Sequence, residues 1–350
     1  MFIRNAWYVA AWDHEIGRLH MLRRFFLGEP VVLYRKLDGS PVALEDRCCH
    51  RHAPLSKGKL KGDDVECPYH GLTYDPSGAC IRVPGQPTIP PGAKVRAYPV
   101  VERYHWIWIW MGDPTLADPS TIEDFHWMDD PAYRFRGERL QMDANYVLLV
   151  ENLLDLSHLS FVHPTTLGTQ AVAETPMKHE RNDRMVRVTR WVMNNTAPPF
   201  FQRAAGFKPE QAVDRWQDIV FTPPAFVRLD VGAAIAGTGA ERGDRSQGFT
   251  MRNLNAITPE SETTTHYFWA QAHDFRIDEP WISQLLFDNV HAAFLEDLDI
   301  IKAQHDNIRT KPDAPRIDIS HDGGGLRARR IIERLITEEQ AATPRLVASR

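Results

Sequence analysis

The chain has 350 residues and a formal charge of -5, with 43% hydrophobic and 25% charged residues, a balance that excludes a disordered or fibrous protein. This length suggests about two domains, and the mild acidity leaves no basic footprint for binding nucleic acid. No apolar run approaches the ~18 residues of a membrane span, and the opening MFIRNAWYVAAWDHE has no continuous apolar core like that of a secretory signal, so a cytoplasmic protein with no membrane partner is expected.

The first 112 residues read as short strands and turns. Val31–Arg35 and Pro41–Glu45 flank the turn Leu37-Asp38-Gly39-Ser40, a predicted hairpin. Asp75-Pro76-Ser77-Gly78 marks a second turn, and Tyr104–Trp110 a strand that ends at Gly112. From residue 113 the pattern changes. Asp143 to His163 has helical periodicity with Asp143 as N-cap, and Met185–Val192, Phe226–Val231 and Thr264–Ala270 read as strands. A long helix starts at Asp278-Glu279-Pro280 and runs to about Ile308, and a last one follows Gly323-Gly324-Gly325 to Gln340. The predicted class is α+β, with an all-β domain over 1–112 and an α+β domain over 113–350.

Four cysteines, Cys48, Cys49, Cys67 and Cys80, cluster in one short stretch, unlike the dispersed cysteines of a disulfide scaffold. Residues 48–70 read CCHRHAPLSKGKLKGDDVECPYH, so Cys48 pairs with His50 and Cys67 with His70. Two mixed pairs supply two thiolates and two imidazoles, the donor set of a Rieske [2Fe–2S] centre in which two histidines replace two cysteines on one iron. A structural zinc site is the alternative, but its pairs usually run C-x2-4-C and H-x3-5-H. Cys80 is expected outside the cage as a buried thiol.

A second constellation is ENLLDLSHLSFVHP at 151–164. Non-haem Fe(II) oxygenases use two histidines and one carboxylate with open positions for O2. His158 and His163 would stand about 140° apart on a regular helix, so the helix has to end, and Pro164 supplies the reason. Asp155 precedes His158 by one turn, and Asn152 lies a turn earlier. The third ligand should be a distant carboxylate. On the long helix Asp297 falls on the apolar stripe Phe287, Val290, Phe294, Leu298, Ile301, whereas Glu296 and Asp299 point elsewhere. A carboxylate on a core-facing stripe is costly unless something such as a metal neutralises it.

With both sites in place, the chain resembles the oxygenase subunit of Rieske non-haem iron oxygenases over essentially its full length. Within them it is most similar to the vanillate O-demethylase branch, which includes dicamba O-demethylase and toluenesulfonate methyl-monooxygenase. The stretches that carry the resemblance are RNAWYVAAW, CPYHGL, VVERYHWIWIWMGDPTLADP and NYVLLVENLLDLSHLSFVH, then APPF at 197–200, VDRWQ at 213–217, ITPES at 257–261 and FLEDLDIIKAQ at 294–304. The resemblance implies a catalytic domain with a curved antiparallel sheet covered by long helices, of helix-grip type. It implies that Cys48, His50, Cys67 and His70 hold the [2Fe–2S] cluster and that His158, His163 and Asp297 hold a mononuclear Fe(II). Asp155 would bridge the two centres between neighbouring subunits of a head-to-tail homotrimer, the closed form of such a contact, with Asn152 beside it. Two departures stand out: Cys49 replaces a usual proline, and His52 stands where glycine is common.

The expected function is a monooxygenase component that oxidatively O-demethylates a methoxylated aromatic acid such as vanillate, releasing formaldehyde. It would draw electrons from a separate NAD(P)H-dependent flavin/iron–sulfur reductase and use O2. An aromatic methyl hydroxylase, an N-demethylase and a ring-hydroxylating dioxygenase share every metal ligand, and a pure Rieske electron carrier is the reading from another class. For the substrate, Phe226, Arg228 and Asp230 share one face of a strand. Arg228 could pair a carboxylate there, and Asp230 and Asn255 are further pocket candidates.

Overall fold

β-Branched and aromatic runs, interrupted by Gly, Pro and Asp turns, make the first part of the chain a succession of short strands. In the computed structural model, which describes residues 1–18, 20–164, 168 and 170–342, the chain divides into two compact units. One comprises Met1–Ile122 with Thr258–Glu262, the other Glu123–Ile257 with Thr263–Ala341.

The first unit carries β1 (Trp7–Trp12), β2 (Leu22–Phe26), β3 (Glu29–Arg35), β4 (Pro41–Glu45), β5 (Lys59–Lys61), β6 (Asp64–Glu66), β7 (Thr73–Tyr74), β8 (Cys80–Arg82), β9 (Ala97–Tyr98), β10 (Val100–Arg103) and β11 (Trp106–Trp110). They form three sheets in the orders β1-β11-β10, β2-β3-β4-β9 and β5-β6-β7-β8. The predicted hairpin is β3–β4, with Val31 opposite Glu45 and Arg35 opposite Pro41. β1 and β11 are buried along their whole length, as uninterrupted apolar runs should be. The segment beyond Gly112 stays with this unit: Trp7 Nε1 donates to the Asp118 carbonyl at 2.9 Å and Arg103 to that of Pro119 at 3.1 Å. Around the β5–β8 sheet, Val32, Tyr34, Leu44, Leu55, Val65 and Tyr74 pack into one core with Cys48, Cys67 and Cys80.

The second unit is α+β. Its sheet has seven strands in the order β12-β18-β17-β16-β15-β14-β13: β12 (Arg134–Met142), β13 (Lys178–Asn182), β14 (Met185–Thr196), β15 (Ala212–Thr222), β16 (Phe226–Ile235), β17 (Gly248–Pro259) and β18 (Thr265–His273). The helices are α1 (Tyr146–Leu154), α2 (Leu159–Val162), α3 (Gln170–Glu174), α4 (Pro199–Ala205), α5 (Pro280–Thr310) and α6 (Gly323–Ala342). α5 packs on β12 and β18 and touches α1, α2 and α4. None of the described helices is long and apolar enough to cross a membrane.

One expected element is corrected. Asp143–His163 is not a single helix capped by Asp143. Asn145 is the N-cap, its Oδ1 accepting from Val147 N at 3.0 Å, and α1 stops at Leu154. Asp155 leaves the helical region at φ -125°, ψ 93°, and its carboxylate accepts from Ser157 N at 2.8 Å to start a new 3-10 turn over Leu156–His158. Aspartate competes with the helix for backbone N–H groups and is better as a cap than inside a helix. Here it ends one helix and opens the next.

Candidate metal centres and active-site cavity

The first donor set sits on two loops of the first unit that close in the same way. Cys48 N donates to the Ala53 carbonyl at 2.9 Å while His52 N returns to the Cys48 carbonyl at 2.9 Å. Cys67 N donates to the Leu72 carbonyl at 2.8 Å while Gly71 N returns to the Cys67 carbonyl at 3.1 Å. Each loop thus needs a left-handed residue four places after its cysteine: Gly71 has φ 71° and His52 φ 57°. This accounts for the glycine common at position 52, since a side chain there is strained.

The cysteines are buried and the histidines exposed at the loop tips. The imidazoles of His50 and His70 stand edge to face with centroids 4.7 Å apart. The Tyr74 hydroxyl lies 3.0 Å from Cys48 Sγ and 3.2 Å from Cys49 Sγ. Burial, the largest influence, pushes the Cys67 thiol up, and the neighbouring Cys48 adds to it, an expense that thiolate bonds to iron would offset. Two inward sulfurs and two outward nitrogens fit a [2Fe–2S] group held by different residues on each iron. None of the four cysteines is in a disulfide. Cys80 lies outside the set, its Sγ 3.4 Å from the Arg82 carbonyl. Cys49 is exposed beside Cys48.

The second donor set joins the α1–α2 break to α5. His158 Nε2 and His163 Nε2 lie 3.3 and 3.1 Å from the same atom, Asp297 Oδ1, and one donor atom from each of the three residues falls within 4.8 Å of the others. His163 is fully buried and Asp297 only 4% exposed. Asn152 Nδ2 donates to Asp297 Oδ1 at 3.0 Å. Both imidazoles are steadied through Nδ1: His158 lies 2.5 Å from the Asp155 carbonyl, and His163 lies 2.6 Å from Glu296 Oε2. Their Nε2 atoms are left for the meeting point, the usual arrangement behind a metal-bound histidine. Burial drives the Asp297 carboxyl up, but His158 and His163 outweigh it and hold it at about 2. Burial pulls His163 down, and Asp297 and Glu296 more than reverse it. Two histidines and a carboxylate, with Asn152 Oδ1 buried and unpartnered beside them among the described residues, fit a ferrous ion with open positions.

The expected geometry therefore changes in two places. His158 and His163 converge because the chain breaks at Asp155, eight residues before His163, and not because a last turn frays before Pro164. Asp155 and His158 do not share a helical face, and their link runs through the Asp155 carbonyl. Glu296, off the apolar stripe, is not in the triad, but it holds His163 Nδ1, a role that its place on α5 does not reveal. Asp299 is exposed.

His158, His163, Asp297 and Asn152 line one cavity. Its walls are largely apolar, with Leu153, Leu156, Phe200, Phe201, Leu229, Val231, Met251, Val290 and Phe294, and carry Arg215, Gln217, Asn253 and Gln271. The expected substrate residues are not in this wall. On β16 it is Leu229 and Val231 that face the cavity, so Phe226, Arg228 and Asp230, one residue out of step, face the other way. Arg228 pairs with Glu123 at 3.0 Å, and Asp230 with Arg245 at 2.9 Å and Arg252 at 2.6 Å. Asn255 stands two places along β17 from Asn253: its Nδ2 donates to Asn253 Oδ1 at 2.7 Å, and its Oδ1 accepts from Tyr267 at 2.6 Å. The alternation of VDRWQ, which sets Arg215 and Gln217 on one face, was the signal that could have found the polar wall.

Comparison with known proteins matches both parts of the chain to known families. Residues 142–338 match the family described as Vanillate O-demethylase oxygenase C-terminal domain, and residues 6–99 match the Rieske [2Fe-2S] domain. The chain is 44% identical to the toluene-4-sulfonate monooxygenase system iron-sulfur subunit TsaM1 of Comamonas testosteroni, across 98% of this chain and 99% of that one. It is 35% identical to a vanillate O-demethylase oxygenase subunit of Pseudomonas sp. (strain HR199 / DSM 7063), across 100% of this chain and 99% of the other. Among solved structures, dicamba monooxygenase bound to 3,6-dichlorosalicylic acid superposes with a TM-score of 0.89 at 36% identity, covering 97% of this chain and 99% of that one.

Proposed function

The chain belongs to the vanillate O-demethylase oxygenase family, whose members are oxidoreductases with a Rieske [2Fe–2S] cluster and a mononuclear non-haem iron, and on that premise we propose that it oxidises a methyl group of a small aromatic acid, foremost by O-demethylation. The observation that carries the reading is the meeting of His158, His163 and Asp297 in the wall of a mostly apolar cavity.

In this reading the first unit, which runs past the expected boundary at residue 112 to Ile122, serves as the Rieske domain and the second as the catalytic domain. Cys48, His50, Cys67 and His70 would hold the cluster, and His158, His163 and Asp297 the ferrous ion. When bound, the two groups supply single electrons and the reduction of O2. The net change is one methyl group, O2, two electrons and two protons giving a hydroxymethyl group and water. On a methoxy substrate that product is a hemiacetal, which expels formaldehyde and leaves a phenol.

The chain's own residues supply position and dryness. Glu296 and the Asp155 carbonyl fix the two imidazoles, and Asn152 holds one oxygen of Asp297. The apolar walls seat the ring with its methyl group toward the triad and keep bulk water out. Relatives described as an "oxygenase component" or as a subunit of a monooxygenase system support a separate NAD(P)H-dependent flavin/iron–sulfur reductase as partner. The reading includes a head-to-tail homotrimer in which Asp155 joins the histidine sets of neighbouring copies.

Hydroxylation of an aryl methyl group is the second reading, favoured by the 44% identity to the toluene-4-sulfonate system subunit. Oxygen uptake with a reconstituted reductase separates the two. Formaldehyde from methoxybenzoates supports demethylation, and a benzylic alcohol from toluene-4-sulfonate supports hydroxylation. A cis-diol, or no oxidation of any methylated arene, overturns both.

A further inference from the structure

The first donor loop carries a thiol that the four-ligand set does not use. Cys49 directly follows Cys48 and is in no disulfide. The proline usual at this place in similar proteins has no side-chain donor. Cys49 has one. Its Sγ lies 3.2 Å from the Tyr74 hydroxyl, and the same hydroxyl lies 3.0 Å from Cys48 Sγ. Among the described residues these two sulfurs are the hydroxyl's only hydrogen-bond partners.

The groups are held in place. Tyr74 stands on β7 opposite Val65 of β6 and is fully buried. Cys48 is only 2% exposed, and the loop that follows it is closed by the bonds from Cys48 N to the Ala53 carbonyl and from His52 N to the Cys48 carbonyl.

Chemistry sets the direction of the two contacts. A hydroxyl has one proton to give and lone pairs to receive another. As a cluster ligand Cys48 is a thiolate and only accepts. Cys49, a free thiol, keeps its proton, and a thiol sulfur is a weak acceptor. The bond to the anionic sulfur is the stronger, so Tyr74 gives its proton to Cys48. The Tyr74 oxygen is then the acceptor for the Cys49 S–H. In such a chain each bond polarises the next, most where water is excluded. Hydrogen bonds to the sulfurs of an iron–sulfur cluster help to set its potential. Donation to a ligand sulfur favours the reduced, more negative state and so raises that potential.

We infer that Cys49 is a positioning residue for electron uptake: through Tyr74 it strengthens the hydrogen bond to Cys48 Sγ and raises the reduction potential of the cluster. The inference rests on the proposed reading of Cys48 as a cluster ligand. It gives the exchange of proline for cysteine at 49 a purpose, a stronger pull on the electron that the reductase delivers.

The test is a potentiometric titration of the full-length holoenzyme, followed by the visible absorption and the electron paramagnetic resonance of the cluster. At the poise where the unaltered protein is half reduced, the reduced-to-oxidised ratio should fall about threefold in Cys49→Ala and in Cys49→Pro, the scale of one bond's effect on its neighbour. Cys49→Ser, whose hydroxyl donates in place of the thiol, should keep the ratio. Tyr74→Phe should lower it about tenfold, and adding Cys49→Ala to that variant should change it no further.

An unchanged ratio in Cys49→Ala overturns the inference. So does a rise, because Cys49 would then be drawing the Tyr74 proton away from Cys48. An equal fall with and without the Tyr74 hydroxyl overturns it as well, since the thiol would then act on the loop and not through the tyrosine. Should Tyr74→Phe not retain the cluster, an equal fall in Cys49→Ser and Cys49→Ala decides against it instead. Cys48→Ala tests the ligand reading separately. A cluster kept in that variant refutes the reading and the inference with it. A cluster lost there, with Cys49→Ala at the unaltered potential, refutes the inference alone.

Discussion

The donors of the first unit lie within residues 48–70, on loops whose backbones hydrogen-bond to themselves. Those of the second come from segments 134 residues apart and converge on Asp297 Oδ1. The first set is a local fold of the chain with its cysteines buried and its histidines outward. The second is a product of tertiary packing, with His163 and Asp297 sealed inside and the imidazoles propped by Glu296 and the Asp155 carbonyl. A locally closed loop keeps its shape whatever happens elsewhere, whereas a site assembled over long range depends on each contact that brings its parts together.

The sharpest way to break this contrast is Asp297→Ala. It should abolish the mononuclear iron and lower turnover at least about a thousandfold, while the visible spectrum of the cluster is unchanged. Metal analysis should fall from three irons per chain to two, and concurrent loss of the cluster would show that the sites are not independent. Next in size is Asp155→Ala. Both metals should stay, but reductase-coupled oxygen uptake should drop about a hundredfold, the upper range for a partner of metal ligands. Normal steady-state activity would remove Asp155 from the path between copies.

Glu296→Gln should weaken iron binding about tenfold, read by competition with a chelator, because the neutral amide orients His163 less firmly. An unchanged affinity would mean that Glu296 merely lies near. The smallest effect is expected in the first unit, from His52→Gly. Relief of the left-handed strain should raise stability by about 1 kcal/mol in thermal unfolding of the cluster-loaded protein, with turnover unaltered.

The same contrast explains what could be read in advance. The cysteine–histidine pairs are visible in a window of 23 residues because the loops that hold them are local, and the hairpin β3–β4 and the strand β11 were legible for the same reason. Asp297 was legible through periodicity, since a lone acid on an apolar stripe demands a partner. The break after Leu154 was not, because helical periodicity persists on both sides of it. Only the capping preference of Asp155, three residues before His158, hinted at the turn. Arg228 and Asp230 were misplaced by one step of strand alternation. A sequence fixes which residues share a face but leaves open which face looks inward when both carry charge. Glu296 was overlooked because its work is done on a neighbour, a relation that no spacing within α5 encodes.

The glycine-rich entry to α6 has a further consequence. A Cβ on Gly324 would come within 2.7 Å of Val188 Cγ2 and 3.3 Å of the Leu154 carbonyl, and one on Gly325 within 3.0 Å of Glu151 Cγ. Arg329, one turn on, grips the Glu151 carboxylate at 2.6 and 2.8 Å. The first turns of α6 are thus clamped on the last turn of α1, shortly before Asp155. A substitution in the first turns of α6 would therefore reach Asp155 and His158 through α1 without touching either of them.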